Sequence, residues 1–193
     1  LSALTDRADR LVKAAHAAGA DASDAVAVRS MSLAIEVRDR NTEESERAEG
    51  DDLGLRVFVG RRQAVVSTNE VTANGAAALA ERAVAMARAT PEDKFAGLAD
   101  DKLLAHKFPE LDLIDPDLPS VRELEAMARA AEEAGLAVKG VSKSGGASAS
   151  AGIGGVVLVT SHGFHGAYLG SNHGVSMTAI AGVIFPKQAQ GSL

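Results

Sequence analysis

Apolar residues recur at helical spacing near the start of the chain. Five of them would share one face of a helix: Leu4, Ala8, Leu11, Val12 and Ala15. Ser2 is placed to cap the start of this helix, and Gly19 is placed to end it in the left-handed conformation. A second helical pattern runs from about residue 74 to residue 87 and must end before Pro91, because proline disfavours helical geometry in the residue ahead of it.

A third helix is predicted to begin after Ser120. Ser120 and Glu123 have the spacing of a capping box, in which the serine oxygen accepts from the Glu123 amide while the glutamate reaches back. Apolar residues then follow at helical spacing: Leu124, Met127, Ala128 and Ala131. Gly135 is the expected end of this helix.

Alternating apolar residues predict strands between the first two helices. Val26 and Val28 alternate in one phase, whereas Leu33, Ile35 and Val37 alternate in the other, so a bulge or tight turn is predicted at residues 29–32. The next alternation covers residues 53–59 and returns through residues 64–66 after a break at Gly60 and Arg61. This second pattern predicts an antiparallel hairpin.

The last third of the chain is rich in glycine, serine and histidine. Ala147, Ala149 and Ala151 alternate with small polar residues, a glycine cluster predicts a turn at residues 152–155, and residues 156–159 form an apolar strand. The whole order is helix, strands, helix, helix, strands. It predicts an α+β fold with a mainly antiparallel β-sheet and about three packed helices.

An acidic, proline-punctuated connector lies between Pro91 and Pro119. It contains a predicted short helix near residues 100–105 and an extended stretch at residues 111–115. This connector is the best candidate for a sub-boundary between two halves of the chain.

Composition narrows the classes of function. The net charge of -6 and an aromatic content of 3% disfavour direct nucleic-acid binding, because the chain offers neither a basic stripe for phosphates nor many stacking platforms. The chain has no cysteine. No apolar run is long enough to cross a membrane, and the first residues are charged rather than typical of a signal peptide, so a cytoplasmic location is expected.

The five histidines do not form a recognisable zinc motif. A zincin needs two histidines one helical turn apart with a glutamate base beside the first, and no histidine in this sequence precedes a glutamate. His162 and His165 would point to opposite faces of a strand. Turn and packing roles are therefore favoured over metal binding by His162, His165 and His173.

Other chemical motifs are incomplete. Serines are plentiful near the histidines, but the G-x-S-x-G elbow of serine hydrolases does not occur. The phosphate-binding motifs G-x-x-x-x-G-K-[ST] and G-x-G-x-x-G are also missing from the sequence. The acidic run at residues 43–52 lacks the residue order of a calcium loop. It is interpreted as a solvated turn whose charges discourage edge pairing.

Several spaced segments together resemble the N-terminal part of the PmbA/TldD family, whose members are described as proposed modulators of DNA gyrase. The segments are Val65-Val-Ser-Thr-Asn-Glu70, Ala83-Val-Ala-Met-Ala-Arg-Ala-Thr-Pro-Glu-Asp93, Ala96-Gly-Leu-Ala-Asp100, Leu111-Asp-Leu-Ile-Asp-Pro116, Lys143-Ser-Gly-Gly146 and Thr160-Ser-His-Gly-Phe-His-Gly-Ala-Tyr168. The resemblance is closer to the PmbA (TldE) branch than to TldD. Family members are longer, so the resemblance implies an N-terminal domain at residues 1–182, followed by an atypical or truncated tail at residues 183–193.

The resemblance also implies a function. In this family a TldD-type subunit carries zinc, and a PmbA-type subunit pairs with it without binding metal. Substrates are expected to be peptides or unfolded proteins, including antibacterial peptide precursors and antitoxins, and the link to gyrase is expected to be indirect. No zinc ligand of TldD maps onto this sequence, so no catalytic residue, metal ligand or cofactor is assigned to this chain.

The leading hypothesis is a non-catalytic subunit that presents peptides to zinc on a TldD-like partner. Exposed strand edges would receive an extended peptide, and small residues at 143–155 would allow close backbone approach. The candidate peptide- or partner-binding residues are Ser144, Gly145, Gly146, Ser161, His162, His165 and His173.

Three alternatives stay open. One is a self-contained hydrolase that uses Ser161 or Ser171 with one of the nearby histidines. Another is an interaction module that regulates gyrase or a toxin–antitoxin system without proteolysis. Self-association of the isolated chain is a further option.

Overall fold

Strands of up to 20 residues dominate the fold. The computed structural model describes residues 1–69, 72–105 and 107–182, so the predicted tail at 183–193 lies outside the described residues. Five strands form an antiparallel sheet in the order β3-β2-β1-β4-β5, and with three α-helices they confirm the α+β prediction. The elements are α1 (Ser2–Ala17), β1 (Ala22–Arg38), β2 (Asn41–Val59), β3 (Arg62–Thr68), α2 (Ala73–Ala89), a 3-10 turn (Asp101–Leu103), α3 (Val121–Leu136), β4 (Val141–Thr160) and β5 (His165–Ala181).

The chain divides into two compact units. Unit 1 comprises Leu1–Met31, Ala48–Pro116 and Gly152–Asn172. Unit 2 comprises residues 32–47, 117–151 and the described residues from His173 onwards. Four of the five strands contribute residues to both units.

Helix α1 packs its predicted face into the core of unit 1. Its buried residues are Leu4, Ala8, Leu11, Val12 and Ala15. The helix ends at Ala17 and is terminated by Gly19, which has a φ of 92°, and the Gly19 and Ala20 amides donate to the carbonyls of His16 and Ala15 in a Schellman arrangement. The predicted capping role of Ser2 is wrong, because Leu1 occupies the N-cap and Ser2 is already helical.

The hairpin of β2 and β3 is confirmed. Leu55 pairs with Val66 and Val57 with Ala64, and all four side chains are buried in the core of unit 1 beside α1 and α2. The turn is made by two residues, Gly60 and Arg61, and Gly60 has a φ of 57°. Most of the free energy of this packing comes from apolar surface removed from water.

The bulge or turn predicted at residues 29–32 is wrong, because β1 runs without interruption from Ala22 to Arg38. The buried apolar residues are Ala25 and Ala27 in unit 1 and Ile35 and Val37 in unit 2, so the buried apolar positions keep one parity along the strand. Val26 is 36% exposed. The pattern misled because small alanines, rather than the valines, face the alanine-rich helices.

The turn predicted at residues 152–155 is also wrong, because β4 is continuous from Val141 to Thr160. Glycine has a packing role here. A Cβ added to Gly155 would lie 2.9 Å from Cδ2 of Leu1 and 3.3 Å from Cδ1 of Leu169. The absent side chain at Gly155 therefore makes room for two leucines rather than for a reversal of the chain.

Unit 2 is organised around α3. The capping box of Ser120 and Glu123 is present, with the serine accepting from the Glu123 amide and the glutamate accepting from the Ser120 amide. Leu124 and Ala128 of α3 pack against Ile35, Val37 and two alanines of β4. Met127, which was expected on the buried face, is 37% exposed.

The interpretation of the acidic run as a turn is wrong, because residues 43–52 are extended and belong to β2. The reversal of the chain lies earlier, at Asp39 and Arg40, which have φ values of 49° and 64°. Two consecutive left-handed residues are the signature of a type I′ hairpin turn, which usually contains glycine or asparagine. Neither residue is present at these two positions.

Candidate functional site

The seven candidate peptide- or partner-binding residues lie in three places. Ser144, Gly145 and Gly146 are on β4 in unit 2, and His173 is on the exposed part of β5 in the same unit. Ser161 and His162 form the β4–β5 turn in unit 1, and His165 begins β5. Their role in binding stays a prediction.

Ser144 belongs to a buried polar network on α3. Its hydroxyl hydrogen-bonds to the carboxylate of Glu132, and its Oγ accepts the Gly146 amide at 3.0 Å. Both Glu132 and Ser144 are at most 1% exposed. The Ser144 hydroxyl lowers the pKa of Glu132 below its ordinary value, with help from two backbone amides, although burial by itself would raise it.

Those two amides belong to the left-handed turn. The Asp39 and Arg40 amides donate to Oε1 and Oε2 of Glu132 at 2.9 and 2.8 Å. Arg129 of α3 donates to the Arg40 carbonyl. One buried carboxylate on α3 therefore fixes the tip of the β1–β2 hairpin.

Gly145 and Gly146 change the phase of β4. Ser144 is buried beside Glu132, and the next residues buried against α3 are Ala149 and Ala151, of the opposite parity. Gly146 has a φ of 113°, and a Cβ there would lie 3.1 Å from Oε1 of Glu36. The two glycines thus allow a local irregularity in β4 that resembles a β-bulge. Because β4 lies between β1 and β5, these residues are not on an edge strand.

The β4–β5 turn is a tight hairpin stabilised from β1. The Thr160 amide donates to the Phe164 carbonyl at 3.0 Å, and Gly163 has a φ of 90°. Ser161 makes two bonds with Ser23: its amide donates to the Ser23 carbonyl at 2.8 Å, and its Oγ accepts the Ser23 amide at 3.0 Å. Ser161 therefore holds the β4–β5 turn against β1 through these two hydrogen bonds.

The histidines of the last third are directed to different places. Nε2 of His165 lies 3.1 Å from a carboxylate oxygen of Asp9 on α1, and its Nδ1 lies 3.2 Å from the Gly163 carbonyl. His162 lines a separate cavity, and His173 is exposed in unit 2. Within the described residues, no group of three or more histidine, aspartate or glutamate side chains is placed to hold a metal ion.

The cavity beside His162 has a volume of about 120 Å³ and lies within unit 1. Its polar lining comes from Asp24, Arg56, Asp101, Thr160 and His162, and the other lining residues are apolar. Asp24 is 8% exposed, and Nε of Arg56 lies 3.1 Å from one of its oxygens. At this volume the cavity is well below the ~300 Å³ of pockets for drug-sized ligands.

A second cluster of charge lies beside α1. Asp51 of β2 accepts from Arg29 at 2.5 Å and from Arg7 at 2.7 Å. The hydrogen bonds from Arg29 and then Arg7 hold the pKa of Asp51 well below its ordinary range. The three side chains are partly exposed, so these surface ion pairs contribute only modestly to the stability of the fold.

The outer edge of β5 is partly occupied by the connector. The Ser171 amide donates to the Leu113 carbonyl at 2.8 Å, and the Asp115 amide donates to Oγ of Ser171 at 2.7 Å. Residues 111–115, predicted to be extended, lie against β5 without being assigned to a strand, whereas the short helix predicted near residues 100–105 is present as the 3-10 turn. Within the segment the Leu113 amide donates to the Leu111 carbonyl at 2.9 Å, so it is not fully extended. Strand β5 is therefore an edge that already receives a segment of the connector.

Sequence reasoning missed Glu132. Its position was available as a signal, because Leu124, Ala128 and Glu132 are four residues apart and share one helical face. A glutamate in line with two buried residues indicates a carboxylate with partners inside the protein. The Asp24–Arg56 pair had no comparable signal, since its members are 32 residues apart on different strands.

No described helix has the length and apolar character needed to span a bilayer. This finding concerns helices within residues 1–69, 72–105 and 107–182.

Two family models match the sequence. Residues 23–87 match the PmbA/TldA metallopeptidase domain 1, and residues 114–192 match the PmbA/TldA metallopeptidase central domain. The chain is 33% identical over 173 residues to the metalloprotease PmbA homolog of Haemophilus influenzae, covering 89% of this chain and 38% of that protein. It is 30% identical over 162 residues to the metalloprotease PmbA of Escherichia coli O157:H7, covering 83% and 36%. The chain thus spans less than two-fifths of the length of these curated relatives.

Three solved structures share the fold. A proposed modulator of DNA gyrase from Bacteroides thetaiotaomicron superposes with a TM-score of 0.84 at 20% identity, covering 94% of this chain and 42% of that one. A second such protein, from Thermotoga maritima, gives 0.71 at 15% identity, with coverages of 92% and 40%. TldE from Thermococcus kodakarensis gives 0.68 at 13% identity, with coverages of 91% and 39%. At these identities the likeness concerns the fold.

Proposed function

Because the chain belongs to the PmbA/TldD family of metallopeptidases, we propose that it is the N-terminal part of a subunit that holds no catalytic metal. This subunit would pair with a zinc-bearing TldD-like partner and present peptides or unfolded proteins to it. The partner, the zinc on it and the substrate class are parts of the proposal.

The described residues do not fit a zinc site. Zinc in a peptidase needs three protein ligands that converge on one point, commonly two histidines and a glutamate. Here both ring nitrogens of His165 contact other groups, Asp9 and the Gly163 carbonyl. His162 lines a different cavity, so the two neighbouring histidines have separate surroundings.

The observation that carries peptide presentation is the edge of β5. A segment of the chain's own connector already hydrogen-bonds there through its Leu113 carbonyl and its Asp115 amide. Addition of an extended peptide to an exposed sheet edge is a general mode of recognition that reads the backbone, and it tolerates many sequences. That tolerance suits a subunit that handles varied unfolded substrates.

The serine hydrolase alternative draws no support from this geometry. Oγ of Ser161 accepts the Ser23 amide, and Oγ of Ser171 accepts the Asp115 amide. A nucleophilic serine needs a histidine base within hydrogen-bond reach, and the contacts of the His165 ring are with Asp9 and Gly163.

The test is reconstitution with a TldD-like subunit. The chain, the TldD-like subunit and their mixture are each incubated with a fluorescence-quenched unfolded polypeptide, and zinc is measured in each purified sample by mass spectrometry. We expect co-elution of the two proteins, zinc only in samples that contain the TldD-like subunit, and faster cleavage by the mixture than by that subunit alone. Chelator-sensitive cleavage by this chain alone would contradict the proposal.

The same purified proteins also test the alternative that the chain is a regulatory module that acts on gyrase without proteolysis. Co-elution with gyrase but not with the TldD-like subunit would favour that module. The cytoplasmic location stays a prediction.

A further inference from the structure

We propose that residues 111–115 form a displaceable strap over a main-chain docking site at Gly170 and Ser171 of β5, and that an extended polypeptide takes its place. The inference rests on the proposed function, because it names the site at which a substrate would be received. Strap and docking site both lie in unit 1.

The docking site is defined by the main-chain amide and the side-chain hydroxyl of Ser171. Ser171 offers its amide, which donates to the Leu113 carbonyl at 2.8 Å, and its Oγ, which accepts the Asp115 amide at 2.7 Å. One residue of β5 thus binds both a carbonyl and an amide of the segment that lies against it. These are groups that every polypeptide carries, apart from the missing amide of proline.

Gly170 lies beside this segment. A Cβ added there would be in ordinary van der Waals contact, 3.6 Å from the Leu113 carbonyl oxygen and 3.9 Å from the Leu113 Cβ, so only a side chain larger than that of alanine would crowd the strap. Ser171 turns its amide away from β4. Because main-chain groups of a strand alternate in direction, Leu169 presents its amide and carbonyl on the same outer side.

The strap has little buried apolar surface to hold it. Leu111, Leu113 and Ile114 are 64%, 43% and 38% exposed. Segments with few buried apolar contacts open at a small free energy, well below that of global unfolding. An incoming peptide whose main-chain groups make the same two bonds to Ser171 would therefore compete mainly against the high local concentration of the tethered strap.

Releasing the strap tests the proposal. Asp115→Pro removes the amide that donates to Ser171 and leaves β5 unchanged, and Asp115→Ala is the reference that removes the Asp115 side chain alone. The probe is a fluorescein-labelled peptide that copies residues 108–117, with binding measured by fluorescence anisotropy. Loss of the amide hydrogen bond from the strap is expected to make probe binding about fivefold tighter in Asp115→Pro than in Asp115→Ala.

Three controls isolate main-chain pairing at this site. Asp112→Pro places a proline in the same segment, at a residue whose amide makes neither of the two hydrogen bonds with Ser171. This variant is expected to bind the probe with an affinity near that of wild type. Ser171→Pro removes the docking amide, a change that an edge strand tolerates, and is expected to abolish the gain when combined with Asp115→Pro. A probe N-methylated at the residue corresponding to Asp115 is expected to lose binding.

Hydrogen exchange gives a second measurement on the wild-type chain. The Ser171 amide is expected to exchange faster than the Thr160 amide, which lies inside the β4–β5 hairpin, and to slow when the probe peptide is added. Equal probe affinity of Asp115→Ala and Asp115→Pro, undiminished binding of the N-methylated probe, or Ser171 exchange as slow as that of Thr160 would each overturn the strap. None of these measurements uses a TldD-like subunit or peptidase activity, so failure of the strap and failure of the proposed function are distinguishable.

Discussion

Two tight turns flank β2, and they are built in different ways. The turn after β2 contains Gly60, whose φ of 57° costs glycine little. The turn before β2 contains Asp39 and Arg40, which adopt left-handed conformations without a glycine. Its amides bind the buried carboxylate of Glu132, a residue more than ninety positions away. One turn is thus specified by its own residues, whereas the other depends on a distant side chain.

The two turns also differ in how their acidic partners are buried. Asp21 accepts the Gly60 amide at 2.6 Å in an exposed position. Glu132 is 0% exposed and accepts two turn amides and the Ser144 hydroxyl. A donor left without its acceptor inside the protein costs much more than one that water can reach. The comparison therefore teaches that the same kind of hydrogen bond has very different value in the two places.

The largest effect is expected from Glu132→Ala. This change leaves the Asp39 and Arg40 amides and the Ser144 hydroxyl without their acceptor, so the free energy of unfolding should fall by about 3 kcal/mol. Urea denaturation followed by circular dichroism measures the loss. Glu133→Ala is the matched control, because Glu133 is the exposed neighbour on the same helix. Equal losses for the two variants would show that Glu132 does not hold the turn.

The contribution of Glu132 should depend on pH. Its folded-state pKa is lower than the ordinary value of 4.5, so the charged form stabilises the fold above that value, and the contribution is lost as pH falls through the folded-state pKa. The difference in unfolding free energy between wild type and Glu132→Gln should therefore be constant near neutral pH and shrink in acid. Denaturation at a series of pH values measures it. A difference that grows on acidification would contradict the assignment.

Reciprocal substitutions at the two turns should have opposite signs. Gly60→Ala meets no atom within 4 Å, so its cost is conformational, about 1 kcal/mol. Arg40→Gly relieves a left-handed residue and should raise the free energy of unfolding by about 0.5 kcal/mol. Thermal unfolding of both variants measures the two changes. A loss of stability in Arg40→Gly would show that its left-handed conformation is not a source of strain.

The smallest effect is expected from Asp21→Ala. It removes the carboxylate that accepts the Gly60 amide, but water can replace that acceptor at an exposed turn. The free energy of unfolding should fall by about 0.5 kcal/mol, well below the loss in Glu132→Ala. The same urea titration measures it. If the two truncations cost equal amounts, burial is not what distinguishes the turns.

Much of the local structure could be predicted from the sequence. The buried face of α1, the capping box of α3 and the β2–β3 hairpin agree with the predictions. Each depends on residues close together in sequence, where helical periodicity, a cap or a glycine turn acts by itself. The failures share a cause. Each strand continues where a break was predicted, because small residues pack against other elements: Ala25 and Ala27 before residues 29–32 are buried in the core of unit 1, and Gly155 lies against Leu1 and Leu169.

The candidate site was predictable only in part. The sequence singled out the glycine-, serine- and histidine-rich last third, but it did not place those residues in the sheet. Ser144 proved to be a partner of Glu132, and Ser161 proved to be a tie to Ser23. The contact of residues 111–115 with Ser171 joins positions more than fifty residues apart, and no local pattern encodes it.

By itself the sequence determined the helices, the glycine turn and the family of this chain, because periodicity, caps and left-handed glycines express short-range preferences. Only the tertiary structure decided that β1 and β4 are uninterrupted, that Asp39 and Arg40 can turn without glycine, and that β5 is the edge covered by residues 111–115. These features depend on partners distant in sequence, which supply the hydrogen bonds and packing that local preference lacks.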